Sequence, residues 1–296
     1  MGLRMIVLAK QVPDTANVGI EAMKPDGTLN RAALPAIFNP EDLNALELAL
    51  SLRDKLGGTV TVLSMGPPRA AEILRDALCR GADRAVLLSD RRFAASDTLA
   101  TSYALAQAIK TRLSPFDIVV CGRQAIDGDT AQVGPQVAEK LGIPQVTYAD
   151  SVEPAGDGRF RVRRDLGRAE EVVELSCPFL LTVVKTANKP RWPNAKLLLK
   201  YRRARSNFEL ESEAQRRGVP IEKLGEELKK RGLLIDTWSA DDIESDLNRI
   251  GIAGSPTKVK KVESVVLAGR DLELFPPDPE GVKALVDRLF EERTFG

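Results

Sequence analysis

The chain has 296 residues, with 43 Lys and Arg against 42 Asp and Glu, a net charge of +1, and no histidine. The charge balance removes the electrostatic case for binding nucleic acid or a membrane surface. Without imidazole, neither a Ser-His-Asp or Cys-His pair, a His-ligated metal, nor a His proton shuttle can be built.

The three cysteines, Cys79, Cys121 and Cys177, are scattered and odd in number. They fit neither a zinc site nor a disulfide framework, and a reduced cytoplasmic setting is expected. The apolar stretch near the N-terminus is too short for a signal peptide or a spanning helix.

Met5 to Ala9 is a short apolar run that reads as a buried strand, with Lys10 to Asp14 as the loop after it. Asn39 and Pro40 predict a helix start, Asn39 as the cap and Pro40 at the first helical position. Glu41 and Asp42 follow at its positive end. The helix runs from Glu41 to Leu56, carries Leu43, Leu46, Ala49 and Leu50 at helical spacing, and ends at Gly57 and Gly58. Thr59 to Leu63 is a second strand, followed by a turn at Gly66 to Pro68 and a helix that stops near Gly81. Ala85 to Leu88 is a third strand. Ser96 to Thr98 start a helix through Ile109, Asp117 to Cys121 is a fourth strand, and Val133 to Leu141 a further helix. This alternation predicts an α/β fold with a doubly wound, mainly parallel sheet.

Beyond residue 145 the rhythm changes. Thr147 to Val152, Phe160 to Arg164 and Glu171 to Leu175 read as a small antiparallel addition, and the apolar Phe179 to Val184 as a return to the main sheet. Lys196 to Arg205 is a basic run, open to reading as a solvated helix face or as a docking surface for an acidic partner. Residues 205–234 read as a helical excursion, broken at Gly218 to Pro220. The last predicted helix spans Pro279 to Arg293. The expected division is residues 1–200 as an α/β nucleotide-binding domain and 201–296 as a helical insertion with an extended C-terminal arm for partner contact.

The stretch from Cys121 to Gly134 follows an apolar strand and precedes a helix. In parallel sheets that edge binds nucleotides. The amides near Thr130 to Val133 would meet a phosphate with favourable dipole sign. A plain solvated loop is equally compatible with three glycines. There is no G-x-G-x-x-G and no P-loop. Asn39 to Asp42 reads either as a simple helix start or as a neighbour of this loop across a switch point. Asp127 and Asp129 fit turn formation better than acid–base or metal chemistry.

Several of these pieces, in order, resemble the beta-subunit family of electron transfer flavoproteins: Val7 to Asp14, Asn39 to Glu47, Arg75 to Asp83, Gly122 to Gly134, Pro144 and Gln145, Pro178, and Pro190 and Arg191. The resemblance implies a Rossmann-like subunit that pairs with an alpha subunit as a heterodimer. That heterodimer relays electrons between NADH or an acyl-CoA dehydrogenase and a quinone-linked or ferredoxin-type acceptor. It implies an adenine nucleotide held by Leu8, Asn39, Pro40, Glu41, Asp42, Met65, Gly122, Arg123, Gln124, Ala125, Ile126, Asp127, Gly128, Asp129, Thr130, Ala131, Gln132 and Val133.

Most members hold AMP there; a second group holds FAD and bifurcates electrons from NADH. Asp127 to Pro135 and Lys10 to Thr15 resemble the second group, so FAD is expected, with AMP as the alternative. The family's docking loop is matched at Arg191 and Ala195, where Ala195 stands in place of a larger aliphatic anchor. No catalytic residue, metal, nucleic acid or membrane insertion is implied, and any membrane association would run through partners. A nucleotide-sensing module of the universal-stress type is the alternative reading, and predicts a homodimer without flavin.

Overall fold

The computed structural model describes residues 2–14, 35–257 and 273–291. Thr15, and the end of the last predicted helix at Glu292 and Arg293, lie outside the described residues.

A ten-stranded sheet forms the frame. Its central strands are β1 (Leu3–Leu8), β4 (Gly58–Met65), β5 (Arg84–Leu88), β6 (Ile118–Gly122) and β10 (Phe179–Val183). Each is a short apolar run buried on both sides, as a parallel sheet between two helical layers requires. A small hairpin, β2 (Gln11–Pro13) with β3 (Ala36–Phe38), follows β1. The order is 5-4-1-6-10, all parallel. β7 (Gln145–Gly156) pairs parallel with β10, then continues into an antiparallel meander with β8 (Arg159–Asp165) and β9 (Glu170–Ser176). The antiparallel addition and the return of Phe179 to Val183 to the main sheet match the reading of the sequence.

Two apolar layers flank the sheet. One takes α1 (Pro40–Leu56) and α2 (Ala71–Arg80), with Leu46, Leu50 and Leu74 fully buried. The other takes α3 (Thr98–Ala108) and α4 (Val133–Leu141) through Ala104, Val137 and Ala138. Gly81 caps α2 at φ 117°, a conformation that favours glycine.

The C-terminal segment differs from expectation. After α5 (Ala195–Tyr201), two strands, β11 (Arg205–Ser206) and β12 (Leu234–Trp238), extend the main sheet in parallel beside β5. Between them lie α6 (Asn207–Arg217) and α7 (Ile221–Lys230). Their Leu210, Ala214, Leu224 and Leu228 join the same apolar layer as α1 and α2. α6 begins seven residues before the predicted helix at Ala214, because Ser206 and Glu209 form a reciprocal capping box. The last described helix is α8 (Pro279–Glu291).

Candidate functional site

The chain leaves β1 toward α1 on one face and leaves β6 toward α4 on the other. β1 and β6 are neighbours, so the switch point of the sheet, the edge at which parallel sheets bind ligands, lies at their carboxyl ends. Leu8 and Cys121 are register partners at that edge, and Met65 ends the adjoining β4. Leu8 is buried in the α3/α4 layer and Met65 packs against it.

Asn39 is wholly buried and adopts the backbone of a helix cap, but its side chain does not cap α1. Nδ2 donates to the Gln124 carbonyl at 2.9 Å, and Oδ1 accepts the Ile126 N–H at 3.2 Å. The capping expectation therefore fails for a physical reason: the amide is spent bridging α1 to the loop after β6. The next residues repeat the pattern. Glu41 accepts the Gln124 N–H at 3.0 Å and pairs with Arg123 Nη2 at 3.0 Å. Asp42 accepts the Gly122 N–H at 2.9 Å and the Lys10 N–H at 2.8 Å. Burial pushes the Asp42 carboxyl up to about 7, against the lowering effect of those two donors. One helix start thus fixes both the loop after β1 and the first half of the loop after β6.

That arrangement splits the predicted phosphate loop. The amides of Gly122, Gln124 and Ile126 are consumed within the chain and cannot meet a ligand. Gly128 and Asp129 both donate to the Ala125 carbonyl, which makes the expected turn. Among the described residues, no acceptor meets the N–H groups of Thr130, Ala131, Gln132, Val133 or Gly134. These lead into the positive end of α4. Asp129 and Ala131 lie at φ 48° and 53°, a conformation costly for residues bearing a Cβ. Left-handed Ala131 is followed by right-handed Gln132, a pairing of conformations found in the backbone nests that bind anions.

The two acidic side chains that would repel an anion are already engaged. Asp127 pairs with Lys10 Nζ at 2.7 Å, and Asp129 accepts from Gln124 Nε2 at 2.8 Å. The donor set at Thr130 to Gly134 and the open space beside Gly128, where an added Cβ would meet nothing within 4 Å, fit a phosphate-bearing group. Cys121 is buried, and burial followed by the Asp42 charge raises its thiol, so it is a packing group.

Some residues of this edge escape the sequence reading of the site. Lys10 bridges to Asp127; its signal was a lone cation directly after an apolar strand. Thr98, the first residue of α3, reaches the Gln132 side chain at 2.9 Å; no local pattern announces that pair. Arg123 lies 5.8 Å from the ring of Tyr148, which sits at φ 59° on β7.

The two predicted docking residues have different surroundings. Arg191 pairs with Glu47 at 2.8 Å and Asp54 at 2.8 Å, both on α1, so its guanidinium is held inside the chain. Ala195 is exposed at the start of α5, which Asn194 caps. Around it the exposed apolar side chains are Trp192, at 81%, Leu198 and Leu199. On α8, Val282, Leu285, Val286 and Phe290 form an exposed stripe at helical spacing. No helix among the described residues is long and apolar enough to cross a membrane.

Residues 26–220 match the electron transfer flavoprotein domain family. The chain is 44% identical over 98% of its length to the electron transfer flavoprotein subunit beta of Clostridium acetobutylicum, covering 99% of that protein. It is 43% identical to the acryloyl-CoA reductase electron transfer subunit gamma of Anaerotignum propionicum, over 99% of this chain and all of that one. A subunit of the caffeyl-CoA reductase-Etf complex of Acetobacterium woodii is 50% identical over 64% of this chain and 71% of its own.

Proposed function

This chain belongs to the electron transfer flavoprotein family as a beta subunit, and from that premise we propose that its carboxyl sheet edge holds the adenine and phosphate portion of FAD. The observation that carries the reading is the division of the loop after β6. Its first half is fastened to Asn39, Glu41 and Asp42, which leaves the amides of Thr130 to Gly134 to meet phosphate at the start of α4. Leu8 and Met65 supply apolar contacts from the strand ends below. The site residues keep the assignments of the family resemblance, with Gly122, Gln124 and Ile126 acting through the scaffold and Thr130 to Val133 through direct contact.

FAD is favoured over AMP by Gly128 and by the run from Asp127 to Pro135, which resemble the FAD-holding group. A bound flavin supplies hydride and single-electron chemistry; the chain supplies position, charge and exclusion of water. No residue of this chain needs to act as acid, base or nucleophile. In this reading the subunit pairs with an alpha subunit as a cytoplasmic heterodimer with a Rossmann-like nucleotide domain. The exposed stripe of α8 serves contact between the subunits. The heterodimer accepts electrons from NADH and divides them between an acyl-CoA reductase or dehydrogenase and a second, quinone-linked or ferredoxin-type acceptor. The names of the relatives from Anaerotignum propionicum and Acetobacterium woodii support the acyl-CoA class of partner. Trp192, Ala195, Leu198 and Leu199 present the surface for it.

The test is a count. The chain is co-expressed with its alpha subunit, ligands are released with acid, and flavin and AMP are measured per heterodimer. Two FAD support the reading, one FAD with AMP assigns the simple carrier, and a flavin-free homodimer defeats it. Anaerobic titration with NADH then tests the donor.

A further inference from the structure

A cavity of about 370 Å³ opens between α3, the last turn of α4 and the turn at residues 248–256. It lies on the outer side of the α3/α4 layer. Lys140, at its wall, is seven residues beyond Val133, about 10 Å along a helix axis, so the cavity is separate from the start of α4.

Two cations meet there, Lys140 and Arg249. Neither has a carboxylate within ion-pair distance among the described residues. The Arg249 guanidinium instead lies 4.1 Å from the centre of the Tyr103 ring. Burial, followed by the charge of Arg249, lowers the Lys140 ammonium below its usual value, against the raising effect of the adjacent Glu139. The remaining wall is largely apolar, with Leu99 and Pro256 among its members.

The turn is rigidly built. Asp246 caps it, and the Asp246 N–H donates to the Tyr103 hydroxyl at 3.0 Å. Ile250 is buried in the α3/α4 layer. Ser255 donates to the Gly251 carbonyl at 2.6 Å and accepts the Asp97 N–H at 2.9 Å. A Cβ on Gly254 would come within 2.0 Å of the Arg249 carbonyl carbon. Holding two like charges together beside such a frame is unfavourable; the exposed Glu139 carboxylate next to Lys140 offsets part of the repulsion, and an anion between the two cations relieves the rest.

We propose that the cavity bounded by Lys140, Arg249, Tyr103 and Leu99 binds a small organic oxyanion, its phosphate or carboxylate between the two cations and its apolar body against Leu99 and Pro256. This site does not depend on the nucleotide at Thr130 to Gly134.

The test uses the purified heterodimer with its native cofactors, titrated calorimetrically with phenyl phosphate and with inorganic phosphate. Saturable binding of phenyl phosphate is expected, weakened at least tenfold in Lys140→Met and in Arg249→Gln, with acid-released flavin unchanged. Inorganic phosphate is expected to bind at least tenfold more weakly, for want of the apolar contact. Equal affinity of wild type and Lys140→Met, or no saturable binding to wild type, overturns the site. So does phenyl phosphate binding that releases flavin, since the ligand would then be competing at the nucleotide edge. Lys140→Met keeps the test sound if Arg249→Gln loosens the turn.

Discussion

Asp42 Oδ1 accepts the Gly122 N–H at 2.9 Å, and an added Cβ on Gly122 would lie 2.5 Å from that same oxygen. The start of α1 and the end of β6 therefore approach as closely as a glycine allows, and the helix start can reach the amides of the following loop.

Gly122→Ala tests that approach. The new methyl group would also meet the backbone of Glu41 and Asp42 at 2.7 and 2.8 Å, none of it free to swing away. A loss of about 1–3 kcal/mol is expected from overpacking. Urea unfolding measures it, and an unchanged midpoint would show that the two elements are not locked together.

Gly128→Asp tests the ligand side of the loop. Nothing lies within 4 Å of an added Cβ, and no positive φ is at stake. Stability of the cofactor-free chain should change by no more than about 0.5 kcal/mol. The new carboxylate has no cation assigned to it, because Lys10 is already paired with Asp127. FAD per heterodimer should fall, and retention of full occupancy would remove the diphosphate from this edge.

Arg191 and Trp192 should separate folding from docking. Arg191→Met breaks the pairs with Glu47 and Asp54 and should cost about 1–2 kcal/mol in thermal unfolding. Trp192→Ala removes a side chain that is 81% exposed and should leave stability unaltered while weakening association with the dehydrogenase. Surface plasmon resonance against that partner reads the difference; equal binding by wild type and Trp192→Ala would place the contact elsewhere.

Acid stability should depend on Glu213. Its carboxyl is held down to about 2, first by the hydrogen bond from Arg216, with Arg217 and the charge of Arg205 adding to it. The ordinary value is 4.5, so between there and about 2 the unfolded chain binds a proton that the folded chain does not. The stabilisation is complete above that window and is lost as pH falls through it. Glu213→Gln should cost about 1 kcal/mol at neutral pH, with little difference from wild type near pH 2. Denaturation midpoints at a series of pH values follow this, and a constant gap would exclude the ion pairs as its source.

Much of the frame was legible because local chemistry spelled it out. Apolar runs such as Met5 to Ala9 and Phe179 to Val183 can only be buried strands, and Gly81 can only end a helix where φ turns positive. The capping box of Ser206 and Glu209 is equally local, written in the chain as Ser-x-x-Glu. β11 and β12 were not legible. Two residues at Arg205 and five ending in Trp238 become strands only because β5 offers an open edge, and that edge is a product of the assembled sheet.

The same distinction governs the site. Sequence by itself determined the alternation that makes a parallel sheet, the absence of imidazole chemistry, and the loop whose residues mark the family. It did so because periodicity, composition and motif are properties of neighbouring residues. Tertiary structure alone decided that Asn39 serves the distant loop instead of its own helix, that Arg191 answers to α1, and that the amides of Gly122 to Ile126 are spent while those of Thr130 to Gly134 remain. Each of those outcomes is a choice among hydrogen-bond partners 80 or more residues apart. A donor's partner is set by which groups the fold brings within 3 Å, and no local pattern encodes that distance.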